Sequence, residues 1–246
     1  MNCRIHQRVI LPFVLFLAFG GGLRAGPIHN ATEMGDVETV RDLLAADPAL
    51  VNAEEDGRTP LWIAADGGHL EVLRLLLRKG AIVDARSMGF TPLMQAARFG
   101  YLEEARLLLE KGAAVNAKTD NGFTPLEFAA SDGNPEIVKL LLEKDARVDA
   151  KTDLGFTPLR FAASEGYLEI VKLLLEKGAP IDARDYTGAT PLCYAAQAGK
   201  LEVVKLLLER GANPNAEGAP GRTPLRLAEQ STAKDVADLL QKAGAK

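Results

Sequence analysis

The side chains able to carry covalent or metal chemistry are few and scattered. The chain has four serines (Ser87, Ser131, Ser164 and Ser231), three histidines (His6, His29 and His69) and two cysteines (Cys3 and Cys193). A serine nucleophile needs a base within hydrogen-bond reach, and one common frame for it is a Gly-x-Ser-x-Gly elbow. No serine here stands in such an elbow, and no Gly-Lys-Ser/Thr loop is present to cradle phosphate. Zinc sites draw on closely spaced Cys and His pairs, a spacing these residues lack. The sequence therefore assigns no catalytic residue, no cofactor site and no metal site. His69 reads as a structural residue near the start of a helix. Cys193 reads as a small semi-buried filler. An intermolecular disulfide, or a small enzyme or redox protein using Cys193, is the weaker reading. What remains distinctive is aromatic. Of nine Phe, three (Phe13, Phe16 and Phe19) lie in an apolar N-terminal run, and six (Phe90, Phe99, Phe123, Phe128, Phe156 and Phe161) recur in the body.

A strict period places those six. Thr-Pro-Leu occurs at 59–61, 91–93, 124–126, 157–159, 190–192 and 223–225, in one step of 32 residues and four of 33. Two Ala follow each of the first five, then Gly (68, 100, 133, 166 and 199), then an aliphatic stretch such as Leu173-Leu174-Leu175. Each position has a mechanical reason. Thr is a good N-cap and Pro is favoured at the first helical position, so Thr-Pro starts a helix. Leu and Ala-Ala give it a small apolar face that permits close approach. Gly, free to take positive φ, ends it after about two turns. Leu168 to Leu175 then reads as a second helix with a broad apolar face. One such pair cannot bury its own face, but stacked pairs can, so the chain must be a solenoid.

The pattern of Gly-x-Thr-Pro-Leu, Ala-Ala, Gly, Leu-Leu, Gly-Ala and Val-Asn-Ala closely resembles the ankyrin repeat. The likeness covers nearly everything after the first 25 residues, and Pro27-Ile28-His29-Asn30-Ala31 opens an N-terminal unit. Seven units are expected: 26–55, 56–87, 88–120, 121–153, 154–186, 187–219 and a capping unit, 220–246. The resemblance implies an all-α solenoid of stacked helix-turn-helix repeats with β-hairpin-like connecting turns. It also implies recognition of a partner protein by the turn tips and by the exposed side of the first helices, which line a concave face. The slots matching that face select Phe90, Gln95, Phe99, Phe123, Phe128, Asp132, Phe156, Phe161, Glu165 and Tyr194 as partner-binding residues. Equivalent Phe on successive units would form a ladder with a step of about 8–10 Å. A competing reading, in which the Phe merely fill the base of each turn, stays open.

Departures from the family pattern carry information. The His that usually follows Thr-Pro-Leu survives only as His29; later units have Trp62, Met94, Glu127, Arg160, Cys193 and Arg226. Glu127 is spaced to form a capping box with Thr124. Arg160 and Arg226 lie at the unfavourable end of a helix dipole, at about 0.3–1 kcal/mol each, with Glu127 expected to offset Arg160 in part. Asp145 stands where a helix-ending Gly is expected, which should weaken the fourth unit locally. The turns before the second and third units are one residue shorter than later ones.

Residues 1–25 have the plan of a secretory signal: Arg4 and Arg8, an uncharged run from Val9 to Leu23, then small residues with cleavage expected near 20–25. An uncleaved membrane anchor is the alternative. Either way the body is expected outside the cytoplasm, periplasmic or secreted, in a bacterial source by preference. Removal of the signal leaves Cys193 alone, so no intramolecular disulfide forms. The formal charge of −4 includes Arg4, Arg8 and Arg24; without them 26 basic residues face 33 acidic ones, a balance of −7. So acidic a body argues against nucleic acid and anionic membrane as partners. The expectation is a monomeric, exported, non-catalytic scaffold for an unidentified protein.

Overall fold

The computed structural model describes residues 26–246. The expected signal segment and its expected cleavage region lie outside them. Fourteen α-helices run in seven pairs among the described residues. They are α1 (Pro27–Glu33) with α2 (Val37–Ala46), α3 (Pro60–Gly67) with α4 (Leu70–Arg78), and α5 (Pro92–Phe99) with α6 (Leu102–Glu110). Then come α7 (Pro125–Asp132) with α8 (Pro135–Glu143), α9 (Pro158–Glu165) with α10 (Leu168–Glu176), α11 (Pro191–Gln197) with α12 (Leu201–Glu209), and α13 (Pro224–Gln230) with α14 (Lys234–Lys242). No helix among the described residues is long and apolar enough to cross a membrane.

Local signals set the helix ends. From α3 to α13, each first helix begins with Pro directly after a Thr. The Thr59 hydroxyl accepts from Trp62 N–H at 3.3 Å and that of Thr157 from Arg160 N–H at 3.2 Å. At the other end Gly68, Gly100, Gly133 and Gly166 take left-handed φ values of 68° to 88°, which only glycine adopts without steric cost.

The seam between first helices is built from the Ala pairs. Ala64 and Ala65, Ala96 and Ala97, and their counterparts in the next three units are fully buried, as are Leu93, Leu126, Leu159 and Leu192. First helices pack on first helices in chain order, and α2, α4, α6, α8, α10, α12 and α14 form the second layer in the same order. Each fully buried Leu contributes about 1.5–3 kcal/mol through its apolar burial.

A polar rail ties together the segments that follow the second helices of successive units. Asn52 accepts from Ile82 N–H at 2.9 Å, Asn116 from Arg147 N–H at 2.9 Å, and Asn215 from Lys246 N–H at 2.8 Å. Asp84 and Asp182 do the same for Ala114 and Asn213. The slot facing Asp149 is Pro180, which has no N–H to give. Asp149 instead lies 3.5 Å from Arg147.

Turn length selects turn type. The two short connections are two-residue hairpins with left-handed residues at both centres: Asp56 and Gly57 (φ 51° and 70°), then Met88 and Gly89 (φ 51° and 82°). Their flanks close as the bridges Glu55–Arg58 and Ser87–Phe90. One extra residue makes the later turns wider, with Thr119 N–H donating to Phe123 C=O at 2.8 Å and Gly122 N–H to Thr119 C=O at 2.9 Å.

Asp145 follows α8 with φ 62°, where Gly80, Gly112, Gly178 and Gly211 stand in other units with φ of 83° to 91°. An L-residue is disfavoured there, and a carboxylate just past a helix C-terminus opposes the dipole. Asp145→Gly keeps the carbonyl that accepts from Asn116 at 3.2 Å. It is expected to stabilise the protein by about 0.5–1 kcal/mol, read as a higher midpoint in urea with unchanged slope.

Candidate functional site

Six rings form one unbroken line along the middle of the solenoid. Phe90 meets Phe128 with centroids 5.7 Å apart; Phe128 meets Phe123 at 5.5 Å; Phe123 meets Phe161 at 5.5 Å. Phe161 then meets Phe156 at 5.9 Å, and Phe156 meets Tyr194 at 6.2 Å. Phe90, Phe123 and Phe156 come from the turns, and Phe128, Phe161 and Tyr194 from the first helices. Turn rings and helix rings alternate along the line, each turn ring touching the helix ring of the following unit, so a helix ring stands between the equivalent Phe of successive units. All six are half-buried, so each packs against its neighbours and still presents an edge or face to solvent. The line ends at Tyr194 because the next turn has Ala189 in the ring position. It starts at Phe90 because Gln95 replaces the helix ring in that unit.

Arg160 caps the C-terminal half of the line. Its guanidinium carbon lies 4.1 Å from the Tyr194 centroid, 4.2 Å from that of Phe156 and 4.9 Å from that of Phe161. A cation over ring faces gains about 0.5–2 kcal/mol. Arg160 therefore stacks on rings rather than pairing with Glu127, and the expected offset by Glu127 is replaced by this contact. The sequence carried the signal in the spacing, since Arg160 follows Phe156 by four and abuts Phe161. The Tyr194 hydroxyl donates to the Asp185 carboxylate. Burial, and then that hydrogen bond, pushes the Tyr194 phenol up to about 12. Burial also pushes Asp185 upward, but donors from Tyr194, Thr187 and Ala189 outweigh it and hold the carboxyl below its usual range.

Carboxylates flank the helix rings. Asp132 and Glu165 stand four residues after Phe128 and Phe161, hence on the same helix face, and both are exposed. Burial of its carboxyl raises Asp132, with Arg98 pulling the other way and Glu165 adding to the rise. Two of the expected contact residues are placed otherwise. Gln95 is only 4% exposed and spends its amide on Asp66, donating at 2.7 Å; it is a buried strut. Phe99 is 46% exposed but stands apart from the line, with its ring 6.0 Å from Tyr101 and under the Arg98 guanidinium at 5.4 Å.

The residues screened for chemistry are tied into the frame. His29 Nε2 lies 3.1 Å from both the Ala53 and Arg58 carbonyls, bracing the next turn. His69 Nε2 lies 3.0 Å from the Glu33 carbonyl. Ser87 accepts from Thr59 N–H at 3.2 Å. Cys193 is 1% exposed, its thiol directed at the Ala216 carbonyl at 3.6 Å. Glu127 is fully buried and completes the capping box, accepting from Thr124 N–H at 3.0 Å and from the Thr124 hydroxyl. Burial raises its carboxyl above the usual range despite those donors, and its Oε1 has no hydrogen-bond partner. No group of three His, Cys, Asp or Glu among the described residues could hold a metal ion.

A stack of helix pairs with a ring-lined face defines a helical repeat solenoid. Models of the ankyrin repeat families match residues 28–119 and 113–185 (ankyrin repeats, three copies) and 174–228 (ankyrin repeats, many copies). The chain belongs to the ankyrin repeat family. Among curated proteins, none matches it.

Glu127 yields a pH signature. Its folded pKa is raised, so its favourable contribution is full below the unfolded value and is lost as pH rises through the folded one. Glu127→Gln keeps the capping oxygen and removes the buried charge. The variant is expected to melt above the parent at about pH 7.5, with the gap closing by about pH 4; a gap that persists in acid would contradict the buried charge as its cause. Cys193 is expected to resist a thiol reagent in the native protein and to react on unfolding, as buried thiols do.

Proposed function

We propose that the protein is an exported, non-catalytic scaffold that grips a partner protein along the ring line at the middle of the solenoid. The observation that carries this reading is the continuous run of six half-exposed rings, with Asp132 and Glu165 beside it. Aromatic side chains concentrate binding energy where they can be fully desolvated by a partner. The frame does not require them, since Arg58, Ala189 and Arg222 fill the turn position in other units. Gln95 is set aside as a contact, and Phe99 stays only as an outlying one. Export is supported by Arg4, Arg8 and the uncharged run that follows, ahead of a first helix at Pro27. N-terminal sequencing of the mature protein tests it: a start near Gly21 or Gly26 agrees, and a start at Met1 means an anchored scaffold instead.

The double variant Phe123→Ala/Phe156→Ala tests the face. A partner captured by the parent from the extracytoplasmic fraction is expected to lose at least roughly 2 kcal/mol of affinity, about thirtyfold, as central interface aromatics do. Lys139→Ala, on the second-helix layer, should leave capture unchanged. If the double variant melts several kcal/mol lower yet holds the partner equally well, the rings serve packing and the reading fails.

A further inference from the structure

Between the turns that open the third and fourth units lies a cleft of about 200 Å³. Phe90, Phe123 and Phe128 form one side of it, and Met88, Asp120 and Asn121 stand at the turns that bound it. We propose that this cleft receives a guanidinium side chain, an arginine of the bound segment, laid on the rings with its charge against Asp120. The proposal rests on the ring line being a binding groove and names what that groove selects.

Four observations carry it. The chain itself shows what these rings take. At the next unit the Arg160 guanidinium lies over Phe156, Phe161 and Tyr194 at 4.1 to 4.9 Å. At the fourth unit the same helix position holds Glu127, which is turned into its own helix start. Phe90, Phe123 and Phe128 therefore touch one another but have no cation over them among the described residues.

Next, the Asp120 carboxylate is at the cleft and makes no hydrogen bond or ion pair among the described residues. It reaches the facing turn: a methyl group placed on Gly89 would come 3.6 Å from its Oδ2. The cations two residues before Met88 and two before Asp120 are committed elsewhere. Arg86 donates to the Gly89 carbonyl at 3.4 Å, and Lys118 to the Lys151 carbonyl at 3.1 Å. Finally, Met88 is held at φ 51° and is 59% exposed, in a turn position where Asp56 stands one unit earlier. Its thioether can lie along the aliphatic part of an arginine. Ring faces and an unpaired carboxylate together favour a planar, weakly hydrated cation over a neutral or acidic group.

The test uses capped tripeptides titrated into the isotope-labelled protein, followed by backbone amide shifts. Acetyl-Leu-Arg-Leu-amide is expected to shift Gly89, Asp120 and Phe123 saturably. The same peptide with citrulline, a neutral isostere, should bind at least about tenfold more weakly. Acetyl-Leu-Glu-Leu-amide should bind more weakly still. Asp120→Asn should reduce the preference for arginine over citrulline, leaving only the part due to the ring faces, with the citrulline peptide's affinity unchanged. Equal binding of the arginine and citrulline peptides overturns the cation assignment. Shifts at Phe156, Phe161 and Tyr194 without shifts at Asp120 also overturn it, but leave the groove standing. No shift at any ring-line amide with any peptide removes both.

Discussion

Every helix pair in this protein has an apolar face that nothing but the next pair can cover. The contact that enforces this is the Ala-Ala seam. Its methyl groups are fully buried in five consecutive units, and they let first helices approach as closely as backbones allow. A frame held that tightly permits one displacement per unit. Thr caps, Gly ends and Leu cores then fall into line because each must meet its copy one unit away. The turns inherit the same displacement, which brings ring to ring at 5.5 to 6.2 Å along the solenoid.

Within the frame, one helix position varies freely, and its variation decides local chemistry. It is the third residue of each first helix. His29 there braces the following turn through two carbonyls. Glu127 folds back to cap its own helix, and Arg160 turns outward onto aromatic faces. Cys193 fills the seam. The two charged residues meet opposite fates for a physical reason. A carboxylate can accept the free N–H groups of a helix start, so Glu127 finds partners indoors at the cost of burying charge. A guanidinium has only donors and is repelled by that same end, so Arg160 leaves for the ring faces, where its cation is welcome.

Much of this was legible in the residues. A five-residue motif recurring every 32 or 33 positions leaves few architectures, and Thr-Pro with a closing Gly marks helix ends without tertiary information. The shorter spacing before the second and third units foretold tighter turns. The ring positions could be named because Phe recurs in slots that the frame does not need. Gln95 and Phe99 resisted the same treatment. Both occupy slots of the exposed face, but Gln95 is drawn inward by Asp66, a residue of the preceding unit, and Phe99 is turned toward Tyr101. A slot says which side of a helix a residue leaves from; its neighbours decide where the side chain ends.

The sequence by itself determined the repeat, the helix boundaries, the absence of recognisable catalytic motifs and the membership of the aromatic set, because all of these depend on residue type and spacing along the chain. Only the tertiary structure decided that turn rings and helix rings interleave into one line. It alone placed Arg160 over three rings contributed by two units, left Asp120 unpaired beside three others, and buried Gln95 and Cys193. These facts depend on distances between units, and a distance between units exists only after the seam has closed.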